Sequence, residues 1–255
     1  MKNRAKIEVC EDSLLIDKKI LVFGDVHLGL EESISSRHGF PRLHLKELSE
    51  KVNRIFTALK KRKIKITKII ILGDLKHDFG SVTISEWGDV RKFLQKLITF
   101  IDGDQEDKLI IVKGNHDNYL NTITRKENIK LVQNYVYKDV CFLHGHEMYQ
   151  ECLNKDIKCL ILSHLHPAII FDDGYKSEKF KCFLKGKWNK KMVYVMPGFS
   201  LMSIGFSLNE VIDKDYKNKN DDFFIINNKD LQKLEVIVYN NKDGEEYNFG
   251  KLKNL

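Results

Sequence analysis

The sequence predicts an α/β fold in which two mixed β-sheets pack as a sandwich flanked by helices. Three observations lead there. Six short apolar runs of strand length, rich in Val and Ile, each end in a polar cluster: ILVFGDVH (20–27), KIIILGDLKHD (68–78), LIIVKGNHD (109–117), VCFLHGH (140–146), CLILSHLHP (159–167) and VYVMPG (193–198). Segments with apolar residues at helical spacing separate the first three runs, which is the order of parallel βαβ units. From Lys130 onward strand patterns dominate, and these call for a second sheet packed on the first.

Taken in order, residues 6–16 read as a short strand or hairpin arm before the first motif strand. Residues 43–61 place Leu45, Leu48, Val52, Ile55, Phe56 and Leu59 on one helical face, and residues 84–101 do the same with Trp87, Val90, Phe93, Leu94, Leu97 and Ile98. A short helix is expected near 147–154. Strands are expected over 169–185, 192–196, 222–226 and 231–239, separated by turns such as DDG and NKDG. Residues 213–222 are polar and low in complexity and read as a mobile loop. No repeat of solenoid period occurs, and the chain reads as one domain over 1–255.

The net charge of +7 and pI of about 8.9 fit a phosphate-rich substrate, although much of the excess is Lys in solvated pairs. Lys and Ile enrichment also occurs in heat-adapted proteins. The five cysteines are odd in number and form no CxxC pair. Cys141 and Cys159 lie in apolar runs and read as buried thiols, which argues against a disulfide framework or zinc ribbon and for a reducing, cytoplasmic setting. The polar N-terminus is not a signal peptide, and no apolar run approaches a membrane span.

Loops at the carboxyl ends of the strands of an open sheet converge on one crevice. Asp25, His27, Asp74, Asn115, His144, His164 and His166 would line it. Asp25-x-His27 and His164-x-His166 each put two donors on one side of an extended chain. Gly73 allows a tight turn before Asp74, whose two oxygens can bridge two ions. Asn115 adds a neutral oxygen, and His144 completes a second ion. Singly, each is equally a capping Asp or a surface His; five such clusters at strand ends are a site for divalent ions. Nitrogen and oxygen donors without thiolate suit manganese first, with iron, zinc, cobalt and nickel as alternatives, and the imidazoles argue against calcium.

The order D-x-H, GD, GNHD, H, HxH resembles the calcineurin-like metallophosphoesterases, over Asp25 to His166 with the sheet core continuing beyond. GDLKHDF, LHGH and YVMPGFS look more narrowly like the archaeal and bacterial ICC-like phosphoesterases. Those are related to the exonuclease subunit of double-strand-break-repair complexes and include ligase-associated DNA-damage-response enzymes. One position departs: Ser163 stands where the family has Gly before its HxH. The resemblance implies two metal ions, the first held by Asp25, His27 and His166, the second by Asn115, His144 and His164, with Asp74 bridging. It implies that His116 is the catalytic histidine, stabilising developing charge or protonating the leaving alkoxide. Asp117 either orients His116 or caps a helix. Two-metal sites of this kind run in-line displacement at phosphorus with no covalent intermediate.

Three features bear on the substrate. In SSRHGFPR (35–42), Arg37, His38 and Arg42 can grip a phosphate, or the segment is an ordinary loop. His77, Asp78 and His146 are either partners of the metal ligands or surroundings of them. Lysines alternate with Tyr175, Phe180, Phe183 and Trp188 over 175–191, the pattern of a hairpin beside the metals. Lys185, Lys187 and Trp188 would contact nucleic acid, or the hairpin is a lysine-protected sheet edge. The reading is a metal-dependent phosphodiesterase, a nuclease on DNA or RNA. The alternatives are a phosphohydrolase of nucleotides or other small phosphoesters, a protein phosphomonoesterase, or a non-catalytic interaction scaffold. No GxxxxGK(S/T) motif is present, so an ATPase or repair partner would be a separate chain.

Overall fold

The computed structural model describes residues 4–31, 43–78, 83–104, 106–213 and 223–255. Among these the strands form sheets of six, seven and three strands. The first sheet starts with a hairpin of β1 (Ile7–Cys10) and β2 (Ser13–Ile16), which turns through Glu11 at φ +53°. β2 pairs antiparallel with β3 (Ile20–Phe23). Then β4 (Lys68–Leu72), β5 (Leu109–Val112) and β6 (Lys130–Val132) add in parallel, in chain order. The crossovers are α1 (His44–Lys61), α2 (Ile84–Ile98) and α3 (Asn121–Lys126). Right-handed crossovers that always step the same way lay their helices on one face, and α1 and α2 pack together there. α1 buries the stripe Leu48, Val52, Ile55 and Leu59. α2 begins where Thr83 accepts the Glu86 N–H at 3.0 Å and ends at Ile98, short of the expected residue 101.

The other face of the first sheet is thereby left for the second. That sheet runs β16 (Glu245–Lys251), β15 (Glu235–Asn240), β12 (Phe183–Trp188), β13 (Lys191–Val195), β9 (Cys159–Leu162), β8 (Val140–Leu143) and β7 (Asn134–Tyr137). Among the described residues its parallel pairings are β13 with β9 and β9 with β8, and its other neighbours pair antiparallel. Its alternation is clean. Val140, Phe142, Cys159, Ile161 and Tyr194 join the core shared with the first sheet. Their neighbours Cys141, Leu143, Leu160, Leu162, Val193 and Val195 join a second core on the outer face. A sheet buried on both faces reads as a continuous apolar run, which is how these strands look in the sequence. The outer core is covered by α5 (Leu208–Asp213), α6 (Asn228–Leu231) and the small sheet β11 (Ser177–Lys181), β10 (Pro167–Asp172), β14 (Phe206–Ser207).

Several expectations are corrected. Residues 223–226 are turn, not strand: Phe224 and Ile226 are buried as plugs, and Ile225 N–H donates to Gly145 O at 3.0 Å without a ladder. The strand expected over 231–239 begins later, as β15 at Glu235, because α6 ends only at Leu231. The stretch 175–191 is not one hairpin. β11 belongs to the small sheet, and the chain passes through buried Cys182 into β12 of the large sheet. β12 returns as β13 through Asn189 and Lys190, both at positive φ (+45° and +63°), as a tight hairpin turn demands. Cys141 is not a free thiol: it forms a disulfide with Cys152 on α4 (Gln150–Leu153), their Cα atoms 5.5 Å apart. The short helix folds back on the strand, a closeness that the odd cysteine count hid, and the disulfide removes the cysteine argument for a reducing compartment. Cys10, Cys159 and Cys182 are buried free thiols, and burial pushes the first two up to about 11 and 12. Arg37, His38, Arg42 and residues 214–222 lie outside the described residues. Among the described residues no helix is long and apolar enough to cross a membrane.

Candidate functional site

The polar ends of β3, β4 and β5 meet those of β8, β9 and β13 at one edge of the sandwich. The backbone there is not extended, as the Asp-x-His argument assumed. Asp25, His27, Asp74, His164 and His166 have φ of +55°, +49°, +49°, +70° and +48°. The left-handed region is sparsely used by residues other than Gly and costs on the order of 1–3 kcal/mol each. The loops are pinned in return: Asp25 N–H donates to Gly73 O at 3.0 Å, His27 N–H to Asp74 O at 2.9 Å, and Ser200 N–H to Asp25 O at 3.0 Å. The turns also need their glycines. A Cβ on Gly114 would stand 2.2 Å from Asp74 Oδ1, and one on Gly73 (φ +76°) 2.5 Å from His144 Nδ1.

The side chains gather into overlapping groups whose donor atoms lie within 4.8 Å of one another: Asp25 with His27 and His166, Asp74 with His144 and His164, and His27 with His77 and His116. His27 recurs in two of these groups, and Asp74 stands between the first two. Its Oδ2 is 3.4 Å from His144 Nε2 and 3.8 Å from both His27 Nε2 and His116 Nε2. Asn115 Oδ1 stands 3.1 Å from His144 Nε2, and His166 Nε2 3.1 Å from Asp25 Oδ1. All seven candidate ligands read from the sequence therefore converge.

The hydrogen bonds show that this donor set fits cations. His144 Nδ1–H donates to Leu72 O at 2.8 Å and His164 Nε2–H to Phe223 O at 2.9 Å. A carbonyl only accepts, so in the neutral rings the lone pairs sit on His144 Nε2 and His164 Nδ1. Those two atoms face each other at 2.9 Å. Facing lone pairs repel unless a positive charge lies with them. The protonation energetics agree. Burial presses His144 toward neutrality, but Asp74 and then Asp25 carry it up to about 9. His164 is driven down to about 4, by burial and then by the His144 charge, and His27 down to about 3 by burial. Burial opposes ionisation of Asp25, yet His166 and His144 hold it down at about 2. Burial likewise opposes ionisation of Asp74, and His144 keeps it well below the usual carboxylate range.

His116 lies at the rim. Its backbone N–H donates to Asp74 Oδ1 at 3.0 Å, and its Nδ1–H donates to the backbone carbonyl of His77. That fixes the ring so that Nε2 faces the crevice. The His77 ring in turn sets its Nδ1 3.5 Å from His27 Nδ1, so His77 supports both a candidate ligand and His116. Asp117 does neither of the two things expected of it. Its carboxylate accepts Leu75 N–H and Gly114 N–H, each at 2.9 Å, tying the β4 and β5 loops together, while α3 starts later with Leu120 at its N-cap. Burial and then the Asp74 charge push Asp117 up to about 6.

Sequence reasoning missed part of the surroundings. The Ser163 hydroxyl donates to Asp25 Oδ2, beside the His164 N–H at 3.0 Å, so this departure from the family pattern is wired into the site. Lys51, only 1 % exposed, donates to Asp12 and to Phe199 O at 2.8 Å, and Lys181 donates to Gly198 O at 2.7 Å. The two cations clamp the loop that holds Asp25 from below, and burial pulls Lys181 down to about 8. Lysines read as surface charge from composition alone, and only their nearness to Asp12 marks them. His146 packs beside His144 and His164, ring centroids 5.2 and 5.9 Å away. Lys185, Lys187 and Trp188 are elsewhere. Met192 is level with Cys159 and Val195 with Leu162, so β13 and β9 run toward the site together. Lys187 and Trp188 pair with Met192 and Lys191 at the opposite end of the sheet. Lys185 lies over the Tyr194 ring at 5.3 Å, and Trp188 donates to Asp230 at 3.2 Å.

This fold and site are those of a phosphoesterase. The calcineurin-like phosphoesterase family model matches residues 18–186, and the chain belongs to that family of metal-dependent phosphoesterases. The nuclease MPE of Pseudomonas putida is similar in structure, with a TM-score of 0.60 at 13% identity over 96% of this chain and 100% of that one. Weaker likenesses include a single-residue variant of Vps29 from Entamoeba histolytica (TM-score 0.35, 17% identity, 91% and 99% covered). Vps29 of Cryptosporidium parvum is comparable (TM-score 0.36, 13% identity, 91% and 97% covered). No curated protein gives a significant match.

Proposed function

We propose that this chain is a dinuclear phosphodiesterase whose substrate is nucleic acid. One observation carries the reading: the Asp74 carboxylate stands between two Asp/His groups, within 4 Å of imidazoles from each. Asp25, His27 and His166 would hold one divalent ion, Asn115, His144 and His164 the other, with Asp74 shared. Manganese is the proposed metal, since the donors are imidazole, carboxylate and amide without thiolate. Ions held there supply Lewis-acid polarisation of a phosphoryl group and a more acidic water. His116, its Nδ1–H fixed by His77 O, presents Nε2 toward the crevice, where its protonated form can donate to the leaving oxygen. The net charge of +7 suits a polyanion, and the P. putida protein of similar fold is a nuclease.

The test is hydrolysis by the manganese-loaded chain of bis-p-nitrophenyl phosphate, p-nitrophenyl phosphate, and single- and double-stranded DNA. The reading expects the diester and at least one DNA to be cleaved, with the monoester slow. Hydrolysis confined to the monoester contradicts it.

A further inference from the structure

The crevice has a second wall. A cavity of about 450 Å³ runs from the candidate ligands to Leu165, Phe206, Phe223, Ile226 and Asn228. Phe223 is 51 % exposed and Phe206 41 %, yet neither is loosely placed. Phe223 O accepts the His164 Nε2–H at 2.9 Å, and its ring lies 4.3 Å from the His164 ring, tilted by 32°. The next residue, Phe224, is buried against Gly145, where an added Cβ would stand 2.6 Å from its ring. Phe206 N–H donates to His166 O at 2.7 Å, and Phe206 pairs with Pro167 in the small sheet. Two water-facing aromatic rings are thus each pinned to one histidine of His164-Leu165-His166, with buried Leu165 between those histidines. Exposed rings held rigidly beside a charged centre are a recognition surface, because burying them on a ligand gains apolar contact without ordering them first.

On the phosphodiesterase reading above, we infer that this wall is a nucleobase subsite, which stacks the base of the nucleotide adjoining the scissile phosphate on Phe223 and Phe206. The occupant must carry a phosphate at one end and a flat apolar group at the other. The cavity is of the size that holds one small ligand unit. Asn228, an exposed residue of the lining, has an amide that both donates and accepts, matching the edge of a base. Stacking of this kind tolerates every base, so the subsite should favour a base over none without choosing among them.

The test uses the full chain. In a zinc-loaded His116→Ala background, a short single-stranded oligonucleotide carrying 2-aminopurine should lose fluorescence on binding. Adding Phe223→Ala should abolish the quench and weaken binding about tenfold or more, whereas Phe223→Trp should retain both. In the otherwise native, manganese-loaded chain, a dinucleotide should be hydrolysed with kcat/KM about tenfold above its abasic analogue. Phe223→Ala should bring the two kcat/KM values to within about twofold of each other, whereas Phe223→Trp should keep the preference. Equal rates on the two substrates in the native chain would overturn the subsite while leaving the phosphodiesterase reading intact. Failure to cleave any diester would overturn the reading beneath it. A Phe223-dependent preference for a phosphodiester with short alkyl chains over the dinucleotide would replace the base by an aliphatic group.

Discussion

The two sheets bring different chemistry to the crevice. Among the described residues, the first sheet supplies the carboxylates Asp25 and Asp74, the Asn115 amide and His27, while the second supplies only imidazoles, His144, His164 and His166. Neither of the two groups that contain a carboxylate is completed by one sheet. Asp25 and His27 need His166 from across the sandwich, and Asp74 needs His144 and His164. An ion at either position would therefore be a cross-link between sheets as well as a reagent. Binding should then report on the packing of the sandwich, and mutation on either side should be felt on the other.

Asp74 is the sharpest point of attack, because its Oδ2 lies within 4 Å of an imidazole from each of these groups. On the dinuclear proposal, Asp74→Ala should lower kcat on a diester by on the order of 10⁴-fold, because several kcal/mol of stabilisation at each ion would depend on it. Retained turnover would break the comparison at its centre. Next come two histidines, one from each sheet. His144→Ala should lose an ion. His116→Ala should keep its metal and lose about 10²–10⁴-fold in kcat, the usual worth of a positioned acid. Loss of metal as readily from His116→Ala as from His144→Ala would mean that the roles are misassigned.

Cross-linking has a thermodynamic signature. A ligand bound only by the folded state at a thousand times its Kd stabilises by about 4 kcal/mol. Calorimetry should therefore show chelated protein melting on the order of 10 °C below protein saturated with manganese. Equal melting temperatures would mean that no ion ties the sheets together. The smallest effect is in pH. In the metal-free protein His144 holds its proton up to about 9, because Asp74 and Asp25 outweigh burial. A cation must displace that proton from Nε2, so affinity rises with pH, by about tenfold per unit between 7 and 9, and levels off above. Calorimetric titration across that range checks the slope. An affinity independent of pH would place the ion elsewhere.

The metal half of this account was legible in the sequence because its determinants are local. A strand end followed by Gly-Asp or Asn-His needs only a few consecutive residues, and all seven candidate ligands could be read from such runs. Two of the three helices of the first sheet, α1 and α2, were legible for the same reason, and α1 begins and ends within a residue of its periodic pattern; the six-residue α3 is too short to show one. What stayed hidden depends on pairs distant in the chain. The disulfide joins a strand to a helix that the cysteine count did not connect. Lys51 meets Phe199 across 148 positions. Phe223 and Phe224 look like strand residues until one sees that Phe224 plugs the loop of Gly145 and the Phe223 carbonyl supports His164. The alternation of lysine and aromatic residues over 175–191 was real, but it belongs to two sheets, and its register carries Lys187 and Trp188 away from the crevice.

The most direct test of a site shared by two sheets is the number of ions it holds. Elemental analysis of pure protein, saturated with manganese and freed of excess, should give two ions per chain. Asp74→Ala should give markedly fewer. One ion per chain in the native protein, or none, would contradict the dinuclear assignment.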